Sequence, residues 1–215
     1  MSLSEILDAL VRGVPATLTI TFGSLAVGAV VAAVIVLARL SSGAPARGLA
    51  TAYVDLVRGI PPIVWLFIIF FGIGQGAFQM SAMFAGIAGL GLVTSAYLSE
   101  MYRAGIASVP RGQWDAARTV GLGGVRTFRS IIAPQAVPVI VPPVATYAIG
   151  LLKDSALVSV LGAQDVTFRA YQLSQNTLDG LDIFLVTALI YIALSLPIAL
   201  FARWVNARLA SHLVP

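Results

Sequence analysis

Few side chains in this sequence have the chemistry of a catalytic or metal site. The 215 residues include no cysteine and a single histidine, His212, which lies close to the C-terminal end. Without more of these residues the chain cannot assemble a thiolate nucleophile, a Ser/His pair or a His-based metal site. The only lysine, Lys153, stands in LLKDSAL and lacks the glycines of a nucleotide-binding P-loop. We therefore predict a protein that is not an enzyme, binds no cofactor directly and does not hydrolyse ATP.

Two adjacent charged residues, Lys153 and Asp154, end a long uncharged stretch. Ionisable side chains at membrane depth are expected to face the protein interior or water, because lipid solvates them poorly. We predict that the two residues contact substrate or form part of a gate. The alternative is a structural ion pair at a helix end.

Two further groups share an acid-x-x-Arg spacing, namely Asp55 with Arg58 and Glu100 with Arg103. Residues three apart on a helix are neighbours, so each pair can form an ion contact. Such pairs commonly anchor a helix end at the membrane surface. We favour an anchoring or inner-gate network here over a substrate site.

A different pattern occurs in GQWDAARTVG, residues 112–121. Proline before it and glycines at both of its ends predict a short helix of about two turns. Trp114, Ala117 and Gly121 recur at positions i, i+3 and i+7 and share a face, while Asp115 and Arg118 can pair beside them. Small residues and one aromatic side chain favour docking to a partner. An interfacial helix lying on lipid headgroups is the alternative.

The composition indicates an integral membrane protein, since 59% of the residues are hydrophobic and only 10% are charged. A membrane helix needs roughly 20 apolar residues, so the chain has room for about five. The net charge of +4 is better explained by basic residues at the cytoplasmic face than by nucleic-acid binding. We predict a lipid-embedded protein that binds no nucleic acid.

The positions of the charges divide the chain into spans. The 41 residues between Arg58 and Glu100 would make a single helix about 60 Å long, so this stretch must fold back. GIGQGAFQ, residues 72–79, predicts the break. The predicted spans are 14–38, 55–73, 81–103, 134–155 and 183–203, with a loop at 108–131 between the third and the fourth.

Four prolines crowd the start of the fourth span: Pro134, Pro138, Pro142 and Pro143. Each removes a backbone donor, and the carbonyl it frees needs another partner. We predict a bent helix that lines a pathway through the protein, with a simple kink as the alternative.

Orientation follows from the asymmetry of the basic residues. With the N-terminus outside, ten arginines fall on or near the cytoplasmic side, and only Arg12, Lys153 and Arg169 fall elsewhere. The positive-inside rule then places the C-terminus and the 108–131 loop in the cytoplasm.

The loop carries a resemblance to a known family. WDAARTVG, followed by Ile131 and Pro134, resembles the EAA loop of ABC importer permeases. The matching positions are Asp115, Ala116, Ala117, Gly121, Ile131, Ala133 and Pro134. Asp115 replaces the family's glutamate and Ala133 its leucine. The resemblance implies that Trp114, Asp115, Ala116, Ala117, Arg118 and Gly121 couple the chain to an ATPase.

Flanking sequences extend the resemblance over essentially the whole chain. TLTITFGSLAVG, YVDLVRGIPP and LKDSALVSVLG look like the subfamily that imports polar amino acids. The resemblance implies a single type I transmembrane domain over residues 1–215 in a bacterial-type cytoplasmic membrane. It further implies a second permease subunit, two cytoplasmic ATPase subunits that use ATP with Mg²⁺, and an extracytoplasmic substrate-binding protein. Transport would proceed by alternating access.

Two other classes of function are weighed against this one. A gradient-driven secondary transporter usually carries inverted repeats with broken midplane helices, and the sequence contains no convincing example. A membrane scaffold without transport is the third possibility. Residues 164–180 are expected to form an external loop or short helix where a binding protein could dock.

Overall fold

The computed structural model describes residues 2–74, 79–177 and 179–210. His212 lies outside the described residues, as do residues 75–78 of the break predicted at 72–79. Within the described part every regular element is helical. The α-helices are α1 (Leu3–Val11), α2 (Val14–Leu40), α3 (Ala44–Gly59), α4 (Pro62–Phe67), α5 (Ala82–Ala107), α6 (Arg111–Thr119), α7 (Gly124–Thr127), α8 (Ala133–Asp154), α9 (Val166–Thr177) and α10 (Gly180–Ala210).

Three short segments depart from α geometry. Ile68–Ile73 continues α4 as a π-helix, and Phe128–Ile132 joins α7 to α8 in the same form. Ser155–Leu161 continues α8 as a 3₁₀-helix. The 3₁₀-helix ends at Gly162, whose φ of 91° requires the left-handed region.

Four helical stretches in the described residues are long and apolar enough to cross a membrane. They are Leu3–Leu40, Ala82–Ala107, Gly124–Leu161 and Gly180–Arg208. A bent pair, Ala44–Gly59 with Pro62–Ile73, supplies a fifth span if it crosses as one unit. The predicted all-α membrane architecture is confirmed.

The second predicted span, 55–73, is not one helix. Helix α3 begins eleven residues before it, and the chain turns by 104° between Gly59 and Pro62. Ile60 has φ −108° and ψ 133°, which is extended backbone. The cause is the pair Pro61 and Pro62, because a proline disfavours the α conformation in the residue before it. The positions of the charges do not reveal this break, because it lies inside the uncharged stretch between Arg58 and Glu100.

The prolines of the fourth span lie inside a long helix. Pro138, Pro142 and Pro143 all fall within α8, and residues 124–161 remain helical throughout. The local departures from α geometry fall at the two ends of α8, in the π-helix before it and the 3₁₀-helix after it.

Helices α2 and α5 form the centre of the bundle, and small residues let their backbones approach closely. A Cβ added at Gly28 would collide with Thr94, and one added at Gly91 would lie 3.0 Å from Val27. Close packing of small residues is the usual basis of helix association in membranes, where lipid tails are as apolar as the side chains. Near one end of this pair, Arg39 of α2 donates to Glu100 of α5.

Candidate coupling helix and pathway residues

The predicted short helix is present as α6, and its ends have clear local causes. Pro110 precedes it with φ −55° and ψ 139°. At the other end Gly121 adopts φ 74°, and its N–H donates to Arg118 O at 3.0 Å while Leu122 N–H donates to Ala117 O at 3.0 Å. These two bonds form a Schellman motif, which satisfies the last carbonyls and favours glycine at the left-handed position.

One face of α6 is directed into the protein and carries two of the predicted coupling residues, Trp114 and Ala117. Ala117 is fully buried, and the half-buried Trp114 packs on a cluster that contains Val109 and Ile132. These side chains therefore hold α6 against the bundle. The physical reason is ordinary amphipathicity, because the apolar side of a surface helix lies on the nearest hydrophobic cluster.

The opposite face of α6 is exposed and polar. Asp115, Ala116 and Arg118 lie on it, and Asp115 Oδ1 is 3.6 Å from Arg118 Nη1. Both side chains are more than two-thirds exposed, so this ion pair contributes little stability. Among the predicted coupling residues of α6, Asp115, Ala116 and Arg118 are therefore more exposed than Trp114.

Sequence reasoning missed the two apolar residues beside α6. Val120 is 73% exposed and Val125 is 76% exposed, and both values are among the four highest of the exposed large hydrophobic side chains in the described residues. They flank the glycine-rich turn at 121–124. A valine next to Gly-Gly gives no periodic signal in the sequence, so only the folded chain reveals the exposed pair.

Contacts connect α6 to the long helix α8. Trp114 shares one hydrophobic cluster with Phe128 and Ile131 of the π-helix and with Ile132, which is fully buried. Ile132 directly precedes α8. A displacement of α6 would thus be passed to the start of α8 through packed side chains.

Only one of the two acid-x-x-Arg pairs forms an ion pair in the described residues. Arg103 Nη2 lies 2.8 Å from Glu100 Oε2, and Arg39 pairs with the other oxygen of Glu100. Asp55 and Arg58, in contrast, are both exposed and form no ion pair within the described part of the chain. The Arg58 guanidinium instead lies over the ring of Tyr97, with 5.1 Å between Cζ and the ring centroid.

Lys153 and Asp154 stand at the end of α8, where the 3₁₀-helix begins. Lys153 is exposed and Asp154 is half-buried. Neither takes part in an ion pair among the residues that the structure describes.

Comparisons with known proteins bear directly on this arrangement. Residues 24–211 match the family described as the binding-protein-dependent transport system inner membrane component. The chain belongs to this family. It is therefore a multi-pass permease of the inner membrane, a transport component whose ATPase is a separate protein, and the prediction that it is not an enzyme is confirmed.

Individual relatives cover nearly the whole chain. It is 34% identical over 202 residues to the probable amino-acid ABC transporter permease protein YckA of Bacillus subtilis (strain 168), covering 94% of this chain and 89% of the relative. It is 33% identical over 187 residues to the probable glutamine ABC transporter permease protein GlnM of the same organism, covering 87% and 85%. The crystal structure of an amino acid ABC transporter with histidines matches with a TM-score of 0.88 and 32% identity, covering 96% of both chains.

Proposed function

We propose that this permease imports polar amino acids or similar small zwitterions by alternating access, with α6 as its coupling helix. The names of its relatives, which include amino-acid and glutamine permeases, support the substrate class. The position of α6 supports the mechanism, because the helix exposes charge on one side and contacts the start of α8 on the other.

The exposed surface around α6 is the observation that carries the proposal. A helix held to the bundle by Trp114 and Ala117, with Val120 and Val125 exposed beside it, is suited to contact with a second protein. Exposed apolar residues next to charged ones are typical of docking sites. The partner is a cytoplasmic ATPase that binds ATP with Mg²⁺, and its closure would move α6 and turn the pathway outward.

The remaining partners follow the family architecture. A second permease subunit, identical or related, completes the pathway, and an extracytoplasmic binding protein delivers substrate. Lys153 and Asp154 line the pathway or its gate, since both are ionisable, lie at the end of a membrane helix and form no salt bridge with any residue that the structure describes. Glu100 with Arg39 and Arg103 anchors the cytoplasmic ends of α2 and α5.

The secondary-transporter alternative is tested by the energy source. The permease and its ATPase are reconstituted into proteoliposomes that contain ATP. The binding protein, loaded with the amino acid, is added outside. We expect uptake of the amino acid to require ATP and to survive a protonophore and a sodium ionophore. Uptake that stops with the ionophores and continues without ATP would assign the chain to the gradient-driven class.

Orientation is tested separately by cysteine labelling in whole cells. Because the parent contains no cysteine, a single one at Gly123 or Asn176 is the only reactive thiol in the chain. A membrane-impermeant maleimide should label the cysteine at position 176 and leave the one at 123 unlabelled until the cells are opened. The reverse pattern would invert the proposed topology.

A further inference from the structure

A cavity of about 640 Å³ opens where the end of α2, one side of α3 and the end of α5 meet. Three arginines line it, namely Arg39 of α2, Arg47 of α3 and Arg103 of α5. The first apolar stretch of the chain ends at Leu40, so the cavity lies at the depth where membrane helices meet lipid headgroups. Three guanidinium groups at this depth are suited to binding an anion.

The arginines of this cavity are only partly neutralised by Glu100. Arg39 and Arg103 share its carboxylate, and their side chains are 13% and 43% exposed, so Arg103 is the more accessible of the two. Arg47 Nη1 instead donates to two peptide carbonyls of the turn between α2 and α3, at 2.9 Å and 2.7 Å. Three guanidinium groups and one carboxylate leave an excess of two positive charges.

One further acid, Asp55, lies at the far end of the cavity. It follows Arg47 by eight residues on α3, which places it about 12 Å farther along the helix axis. Both side chains are exposed, and exposed charges at this separation are largely screened from each other at physiological salt. The end of the cavity at Arg47 is therefore positive.

Small residues of α3 keep the cavity open. Ala44, Gly48 and Ala52 line it at i, i+4 and i+8, and a Cβ added at Gly48 would meet nothing within 4 Å. Elsewhere on α3, Leu49 is 75% exposed and Leu56 is 59% exposed, and their spacing of seven residues places both on one face. A positive cavity and exposed leucines on the same helix suit a ligand that has an anionic head and an apolar chain.

We propose that this cavity binds the headgroup of one anionic phospholipid, with the phosphate on Arg47 and Arg103 and an acyl chain along Leu49 and Leu56. Basic cavities between membrane helices are sites for anionic headgroups, and a guanidinium group can donate two parallel hydrogen bonds to a phosphate. Under the proposed orientation the lipid belongs to the cytoplasmic leaflet. The site is separate from α6 and from the residues proposed for the pathway.

Native mass spectrometry of the transporter, purified through a tag on this chain and stripped of lipid in detergent, tests the site. The probe is palmitoyl-oleoyl phosphatidylglycerol, and phosphatidylcholine with the same chains is the matched zwitterionic lipid. The parent should bind phosphatidylglycerol about tenfold more tightly than phosphatidylcholine. Arg47→Gln should weaken the binding of phosphatidylglycerol about tenfold, as expected for the loss of a charge-assisted hydrogen bond, and leave that of phosphatidylcholine unchanged.

A second variant and a control separate this site from general surface charge. Gly48→Leu keeps every arginine and fills the cavity, so it should weaken the binding of phosphatidylglycerol as much as Arg47→Gln does. Arg203→Gln removes the same charge from an exposed position near the end of α10 and should bind phosphatidylglycerol as the parent does. Melting temperatures in lipid-free detergent should match that of the parent for all three variants, which excludes unfolding as the cause.

Several outcomes would overturn the proposal. They are equal binding of the two lipids by the parent, unchanged binding of phosphatidylglycerol in both Arg47→Gln and Gly48→Leu, or an equal loss in Arg203→Gln. Displacement of phosphatidylglycerol by excess inorganic phosphate would assign the cavity to a free anion. If Arg47→Gln releases another subunit and still binds phosphatidylglycerol, the cavity is a protein contact. No arm of this test measures uptake, so its failure is distinct from failure of the proposed function.

Discussion

Two connecting segments of similar size, residues 108–131 and residues 155–177, use their side chains in opposite ways. In the 155–177 segment Asp165, Val166 and Ala170 are fully buried. Val166 N–H donates to Thr17 Oγ1 at 3.2 Å, which joins the start of α9 to α2. In the 108–131 segment, α6 leaves its charged face and the flanking Val120 and Val125 exposed.

The difference in side-chain burial indicates which segment is suited to contact with a partner protein. A segment that buries apolar side chains against its own chain gains stability from them. A segment that leaves large apolar side chains exposed loses that contribution, and such exposure is typical of a surface covered by another molecule. The 155–177 segment also exposes Val160 and Tyr171, so what distinguishes it is the burial of the start of α9 against α2. Under the proposed function, the 108–131 segment is the docking surface.

The largest effect is expected from a pair of glycine variants, one in each segment. Gly121 has φ 74° and Gly162 has φ 91°, and an added Cβ would meet nothing within 4 Å at either position. Gly121→Asp and Gly162→Asp should therefore incur a similar backbone strain of roughly 1 kcal/mol. Only Gly121→Asp places a new charge at the proposed ATPase contact, so only this variant should lose the ATPase on purification, and its uptake should fall at least tenfold.

Copurification of the tagged ATPase and the uptake rate in proteoliposomes are the two measurements for this pair. Gly121→Ala is the matched control, since it introduces the strain without the charge and should keep most of the ATPase bound. If Gly121→Asp and Gly162→Asp retain the ATPase equally well, the 108–131 segment is only an interfacial helix.

A stability effect of intermediate size is expected where α2 meets the 155–177 segment. A Cβ at Gly13 would lie 2.5 Å from Val166 N and 2.6 Å from Asp165 C, and both are backbone atoms that cannot move aside. Gly13→Ala should cost about 1–3 kcal/mol, as overpacking does elsewhere. Thermal unfolding in detergent, followed by fluorescence-detected gel filtration, measures the loss.

Gly112→Ala provides the counterpart in the 108–131 segment. Its added Cβ would meet nothing within 4 Å, and alanine favours the helix by roughly 0.5–1 kcal/mol over glycine. This variant should unfold at the same temperature as the parent or a higher one. Equal destabilisation by the two alanines would mean that the two segments do not differ in packing.

The smallest effect concerns the pH dependence of stability. Asp165 is fully buried, and burial raises the pKa of its carboxyl to about 6. Its Oδ1 accepts from Phe168 N–H at 2.8 Å, while its Oδ2 is buried without a hydrogen-bond partner. Because the folded pKa exceeds the ordinary value of 3.8, the unfolded chain loses its proton first, and stability falls as the pH rises from about 4 to about 6.

Asp165→Asn removes this ionisation and keeps the amide oxygen that can cap α9. The variant should match the parent at pH 4 and unfold a few degrees higher at pH 7.5. Asp165→Ala, which also removes the cap, should be less stable than Asp165→Asn at both pH values. Parallel melting curves of parent and Asp165→Asn across this range would mean that Asp165 does not titrate as its burial implies.

Much of the architecture could be predicted because it depends on properties local in sequence. The scarcity of charge over about 20 residues is enough to indicate a membrane helix. Proline and glycine around residues 112–121 are enough to bound a short helix, and α6 ends at Thr119, two residues before Gly121 turns the chain. These features need no knowledge of what lies beside the helix.

Tertiary structure alone decided the partners of the functional side chains. The sequence pairs Asp55 with Arg58 by spacing, yet the folded chain brings Tyr97 under the guanidinium, because α3 ends beside α5 at the proline break. It also directs Trp114 inward, because a hydrophobic cluster from four other segments lies beneath α6. Sequence spacing determines which residues share a face of one helix. The environment of that face depends on residues distant in sequence, so only the packed bundle determines it.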